Sequence, residues 1–329
     1  MENTEPKKTD KHLPWPMLIL SGLGGLLIAV LVTVFVLLVA DNHNGRISIA
    51  ITSILFIIGA IATTQKDNDI IAMLFGLPLY ITGFVLGFVA LIKSESIAMI
   101  VEFIVAIIAF ALCKSQTCRK CLLFYILWLP LQIGWSFTNF HHDSLFSSVW
   151  SYIIVLIYIA IFGGTINKKR IEHLEVDNYL PAVRFSTALV IGVALCYMSF
   201  FQGVTQFAFF YAIAFIFASA SFAIAYHLLS KHISGAKLAI SCLLALLSCA
   251  ATTVYPAMAP AFLGMMLSFM ILDYKCLTIF AAAFVASISK FYYDLDILLI
   301  HKSYLLMGVG ALFLLIFFCI KLLTKNEQN

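Results

Sequence analysis

Twelve apolar stretches, each close to the length of a membrane-crossing helix, follow one another along this chain and limit what it can fold into. They run near 17–40, 47–64, 70–92, 97–113, 121–139 and 145–164, then near 185–201, 207–229, 236–254, 257–274, 276–293 and 299–322. Crossing a hydrocarbon core about 30 Å thick takes roughly 20 helical residues. No water is present there to satisfy open backbone groups, so each crossing must satisfy its own. The expected fold is therefore an all-α, polytopic transmembrane helix bundle of about 12 spans. Several runs are short and the 236–293 region has room for a re-entrant segment, so ten or eleven crossings also fit the pattern.

Composition agrees with that expectation. Hydrophobic residues make up 63% of the chain and charged residues 11%, against roughly 25% charged in soluble domains. The mean hydropathy is +1.04. A net charge of +4 is too small and too scattered for nucleic-acid binding. The expected partners are membrane lipids and other membrane proteins.

Lys7, Lys8 and Lys11 precede the apolar run from Met17 to Ala40, which is longer than the roughly 7–15 residues of a signal-peptide core. It reads as a retained first span with its basic flank in the cytoplasm. With that orientation and twelve spans, only Arg46, Lys93, Lys290 and Lys302 of the 20 basic residues fall outside, the bias that the positive-inside rule describes. Both termini are thus expected in the cytoplasm, with the chain multi-pass in the membrane. The chain divides into a tail at 1–16, a first transmembrane half at 17–164, a central cytoplasmic loop at 165–184, a second half at 185–322 and a tail at 323–329. The halves show no convincing internal match. In the central loop Asp177 and Asn178 are candidate helix caps and Pro181 suits a first turn.

The remaining loops are too short to hold a soluble domain, so any site lies among the helices or at the membrane surface. Gly83 and Gly87 form a small-xxx-small pair. Ala214, Ala218, Ser221 and Ala225, and likewise Ser241, Ala245, Ser248 and Thr252, form small-residue stripes of the kind that lets membrane helices approach closely.

Glu102 is the clearest anomaly, an acid within the apolar run 97–113. A charge at mid-span costs around 2.5–3.5 kcal/mol on insertion scales, so such a group should face the bundle interior or be protonated. Two readings are open: a proton or cation site, or a neutral acid hydrogen-bonded to a neighbouring helix. Gln132, Tyr80 and Thr82 are candidate partners.

The second candidate region is Lys290-Phe291-Tyr292-Tyr293-Asp294-Leu295-Asp296 with His301-Lys302-Ser303. In helical register Asp294 shares a face with Lys290 and lies near that of Lys302. Charge pairing with Tyr292 and Tyr293 as interfacial anchors is the structural reading. A site for an anionic headgroup or a cation, using Tyr293, Asp294, Asp296 and Lys302, is the functional one. Phe291 to Leu295, Leu298-Leu299, Lys302-Ser303 and Gly310 before a Leu-rich tail resemble the C-terminal signature of a bacterial membrane family known as a domain of unknown function. That family is associated with membrane proteins named for a GDYxxLxY motif. The resemblance implies a bacterial inner-membrane protein and supplies no activity or site residue.

Other motifs point to packing. Cys118 and Cys121 have C-x-x-C spacing with Cys113 nearby, but no second pair exists and Lys114, Arg119 and Lys120 oppose a cation, so reduced structural thiols are expected. The group His141, His142 and Asp143 reads as a solvated loop before it reads as a weak metal site. The D-x-D patterns at Asp67 to Asp69 and Asp294 to Asp296 lack supporting motifs. No P-loop, H-E-x-x-H or G-x-S-x-G motif occurs, so no catalytic residue, metal or cofactor is assigned. The leading expectation is a transporter or permease-like protein using Glu102 and the Asp294/Lys302 region. A non-catalytic accessory subunit of an envelope complex is the alternative, and an enzyme acting on a membrane lipid stands third.

Overall fold

An apolar segment free of internal breakers coils into a helix because the coil pairs each backbone N–H with a carbonyl four residues back. The computed structural model describes residues 15–39, 45–65, 72–91, 95–141, 144–165, 179–201, 208–232 and 235–295, with isolated positions between 300 and 311. Among them are eleven α-helices and no strand: α1 (Trp15–Val39), α2 (Gly45–Thr64), α3 (Leu77–Ala90), α4 (Glu95–Leu112), α5 (Gln116–His141) and α6 (Ser144–Gly164), followed by α7 (Leu180–Phe201), α8 (Ala208–His232), α9 (Ala236–Thr252), α10 (Met258–Ile271) and α11 (Tyr274–Asp294). Each falls on one of the apolar runs. The run at 299–322 lies almost wholly outside the described residues, as do Asp177 and Asn178; Pro181 does sit in the first turn of α7.

Among the described residues, five helical segments are long and apolar enough to cross a membrane: Gly45–Thr64, Ala72–Ala90, Leu180–Phe200, Phe210–Lys231 and Tyr274–Asp294. Others are shorter. The 14 residues of α10 reach about 21 Å at 1.5 Å per residue. The exterior is coated with large apolar side chains, Leu20, Phe35, Ile54, Phe215 and Val285 among them. A continuous apolar coat of this kind marks a surface that meets something other than water.

Local irregularities have identifiable causes. A π-helical turn, Ala72–Gly76, precedes α3. Pro78 has no N–H to give the carbonyl four residues back, and the wider turn absorbs that mismatch. Pro130 interrupts α5, and α6 secures the carbonyls beside it. Trp150 Nε1 donates to Pro130 O at 2.8 Å, and Tyr158 Oη donates to Leu127 O at 2.6 Å. Trp150 reaches that carbonyl across Gly134, where a Cβ would stand only 1.9 Å from its ring.

Two packing clusters fill the interior. One joins α2 to α5 through Ala60, Tyr80, Phe84, Ala106, Ala109 and Leu122. The other joins α5 to α8, α10 and α11 through Leu131, Val155, Phe162, Ile191, Phe217 and Phe280. Helix α5 belongs to both. Gly83 packs α3 on α2, with room for no more than a hydrogen where a Cβ would lie 2.7 Å from Ile57. The stripe Ala214, Ala218, Ser221 and Ala225 is buried along its length. The stripe on α9 is not: Ser248 is exposed, and burial there falls on Cys249 and Thr252.

Basic residues gather at one end of the bundle, against helix C-termini that favour positive charge. Arg184 Nη2 donates to Thr165 O at 2.6 Å, closing the end of α6. Arg119 Nε donates to Cys113 O at 2.6 Å in the α4–α5 turn, and its guanidinium lies 4.6 Å from the centre of the Tyr179 ring.

Candidate functional site

Glu102 owes its position to the pattern of α4. Met99, Glu102, Ala106 and Ala109 recur three or four residues apart and, with Ala98 beside them, form the buried stripe, while Ile97, Ile100, Ile104, Ile107 and Ile108 point outward. The small alanines on either side let α3 and α5 close over the acid, which is 5% exposed.

Its two oxygens differ. Oε2 accepts a short hydrogen bond from Tyr125 Oη on α5. Oε1 is buried and has no hydrogen-bond partner among the described residues, a state shared there only by Thr187 Oγ1. Ser53 Oγ on α2 also lies near Gly87, 3.1 Å from where a Cβ would stand, but it is committed elsewhere, donating to Gly83 O at 2.8 Å. Gly87 on α3 faces the free oxygen without covering it; a Cβ there would stand 3.7 Å from Oε1. More than nine buried polar groups in ten find a partner in native structures, so an open carboxylate oxygen inside an apolar bundle is exceptional.

Two cavities meet at Glu102. The smaller, about 250 Å³, lies between α2, α3 and α4 and is lined by Ser53, Ile57, Gly83, Gly87 and Val105. The larger, about 550 Å³, lies between α3, α4, α5 and α7. Its walls are mainly apolar, aliphatic and aromatic side chains together, with Gln132 and Lys120 as polar lining residues at different levels of α5. Glu102 and Phe84 line both.

The partners expected from sequence are corrected. Tyr80 Oη pairs with Thr64 Oγ1 at 3.3 Å, and Thr82 Oγ1 donates to Ala29 O at 3.3 Å. Gln132 borders the larger cavity, seven residues and so two helical turns from the residue that does reach the acid, Tyr125. Sequence reading missed Tyr125; the available signal was that it shares a face of α5 with Gln132, two turns nearer the basic end.

The second candidate region is separate. Lys290 and Asp294 form the expected pair at i,i+4, at 2.5 Å on the surface of α11. Tyr293 is 76% exposed, and its ring stands edge-on to that of Tyr292, 5.9 Å between centroids. Asp296, His301 and Lys302 lie outside the described residues, as do His142, Asp143 and the segment Asp67 to Asp69. Asp294 is at the end of α11 and Glu102 among α2 to α5, so the structure does not bring the two candidates together. Cys113 and Cys118 are buried and engage carbonyls, Cys118 Sγ donating to Ala72 O at 3.4 Å and Cys113 Sγ to Ser115 O at 3.6 Å.

An all-helical chain with lipid-like outer faces and a carboxylate buried between helices is an α-helical membrane protein. More particularly, it belongs to the family described as Domain of unknown function (DUF4401), whose model matches residues 14–323. The kinship read from the last segment of the sequence thus extends over nearly the whole chain. No curated protein and no solved structure matches it.

Proposed function

We propose that the protein is a multi-pass carrier of the bacterial inner membrane, with both termini cytoplasmic, that works by loading and unloading a proton or cation at Glu102. One observation carries this reading: the carboxylate is held by Tyr125 through Oε2 while Oε1, buried at the junction of two cavities, has no partner among the described residues. An acid kept only for packing gains nothing from an empty acceptor, because an unmet buried oxygen costs about 1–3 kcal/mol. An acid that must bind and release needs one.

The surroundings support it. The larger cavity extends from Gln132 past Glu102 to Lys120, twelve residues of α5 or about 18 Å. Lys120 sits at the end where Arg119 and Arg184 gather, the end that the positive-inside rule assigns to the cytoplasm. The helices on eleven of the apolar runs fit a topology of about twelve crossings.

The test is flux. Wild-type protein in liposomes carrying an internal pH dye, driven by a potassium-diffusion potential, should acidify or alkalinise the lumen, and Glu102→Gln should not. Equal flux in that correctly inserted variant rejects the proposal, as does a wild type no leakier than empty liposomes.

A second reading, a non-catalytic subunit of an envelope complex, draws on the other buried hydroxyls. Ser221, Ser268 and Ser287 all donate to carbonyls of their own helices, leaving little polar capacity for chemistry. Stable co-purification with a membrane protein, without flux, would favour it.

A further inference from the structure

We infer that the larger cavity is a groove for one membrane phospholipid with a net-anionic headgroup, its phosphate on Lys120 Nζ and an acyl chain lying along α5 toward Gln132. The inference goes beyond the carrier reading and does not depend on it. Glu102 Oε1 faces Gly87, which borders the smaller cavity and not the larger, and Oε2 is taken by Tyr125, so the acid does not hold this ligand.

Shape is the first argument. The volume, about 550 Å³, falls within the roughly 300–1,000 Å³ of small-molecule sites. Lys120 and Gln132 on α5, and Leu77 and Val89 on α3, mark its length; each pair is separated by about 18 Å of helix. One leaflet contributes half of a hydrocarbon core about 30 Å thick, or about 15 Å. The groove is thus as long as one leaflet is deep. Val85 on its rim is 42% exposed, and Ile81, Phe88 and Phe185 are half-buried, so its flank opens on the apolar exterior. A chain enters sideways without leaving hydrocarbon.

Charge is the second argument, and it sets which end takes the headgroup. Arg119 is committed to Cys113 O and the Tyr179 ring, and Arg184 to Thr165 O. Lys120 beside them is half-buried. Its Nζ lies 5.8 Å from the centre of the Phe185 ring and has no hydrogen bond or ion pair among the described residues. Ser186 Oγ donates to Lys120 O at 2.7 Å, which holds this part of α5 against α7 and keeps the ammonium at one level. A phosphate oxygen supplies the charge-assisted partner that it lacks, and basic residues near a membrane surface attract anionic lipids. Deeper in the groove Leu122, Phe124 and Phe84 offer a chain only apolar contact. The acid, at the level of Tyr125 and about 7.5 Å further along α5 than Lys120, has its near oxygen already covered by that hydroxyl.

The probe is phosphatidylglycerol, titrated into the delipidated full chain in maltoside micelles and counted by native mass spectrometry. One lipid should remain on the protein after the detergent is stripped, with phosphatidylcholine of the same chains held about tenfold less tightly because its choline cation offsets the attraction. Lys120→Gln should weaken phosphatidylglycerol about tenfold, the effect of losing one charge-assisted contact, and Lys120→Arg should retain it. Lys114→Gln, which removes an exposed charge at the same end but off the groove, should change nothing. Val85→Trp narrows the open flank without altering charge and should weaken the lipid severalfold. Glycerol 3-phosphate, a headgroup without chains, should not compete. Equal retention by wild type and Lys120→Gln, an equal loss in Lys114→Gln, phosphatidylcholine held as tightly, or displacement by glycerol 3-phosphate each overturns the inference. Glu102→Gln separates the two readings, since it should lose flux and keep the lipid. Loss of the lipid in that variant overturns the inference, whereas flux unchanged with the lipid kept supports it and rejects only the carrier.

Discussion

The bond between Tyr125 and Glu102 can be weighed by a double-mutant cycle. Tyr125→Phe removes a single oxygen and keeps the ring against Phe84, 4.7 Å between centroids. Glu102→Leu removes both acid oxygens and fills much of the same volume with apolar atoms. A hydrogen bond to a charged group contributes about 1.5–3 kcal/mol. Interhelical bonds between neutral groups in membrane proteins average about 0.6 kcal/mol. A carboxylate that carries charge during its working cycle should therefore couple to Tyr125 by about 1.5–3 kcal/mol in mildly alkaline buffer. Each single variant leaves one orphan, the acid in Tyr125→Phe and the hydroxyl in Glu102→Leu, whereas the double variant leaves neither and should recover much of the loss. The assay is equilibrium unfolding in mixed micelles with increasing sodium dodecyl sulfate, read by tryptophan fluorescence. A coupling of about 0.6 kcal/mol or less would show an ordinary neutral contact and defeat the reasoning.

Gly134→Ala would place a methyl 1.9 Å from the Trp150 ring and should cost about 1–3 kcal/mol of overpacking, seen as a lower melting temperature in detergent; Trp150→Leu in the same chain should recover part of it. Asp273 caps α11, its side chain accepting from Lys275 N at 3.1 Å and Cys276 N at 3.4 Å, so Asp273→Ala should cost about 1 kcal/mol by the same measurement. Lys290→Gln breaks a surface pair of a kind that contributes about 0–1 kcal/mol, and should leave both melting temperature and Glu102-dependent flux unchanged.

Helix positions were legible because the membrane reduces the problem to apolar length, and the runs from 17 to 293 each carry a helix. Glu102 was legible for the same reason, since an acid stands out against isoleucine and valine. Its partner was not. Tyr125 and Gln132 share a face of α5, and choosing between them requires the vertical register of α4 against α5, which depends on how Ala98, Ala106 and Ala109 seat on their neighbours. Thr82 failed as a partner for a simpler reason: two residues from Tyr80 on a helix, it points away, toward α1. The pairing of Lys290 with Asp294 was readable because a spacing of four within one helix needs no tertiary information.

Helix α5 lines the larger cavity from Lys120 to Gln132 and is held at both ends of that stretch, by Ser186 Oγ donating to Lys120 O and by Trp150 and Tyr158 beside Pro130. A rod fastened at two points keeps the stretch between them in place. The hydroxyl of Tyr125 that steadies the acid sits on that stretch, so the tie between α4 and α5 is set by the fastenings on either side of it.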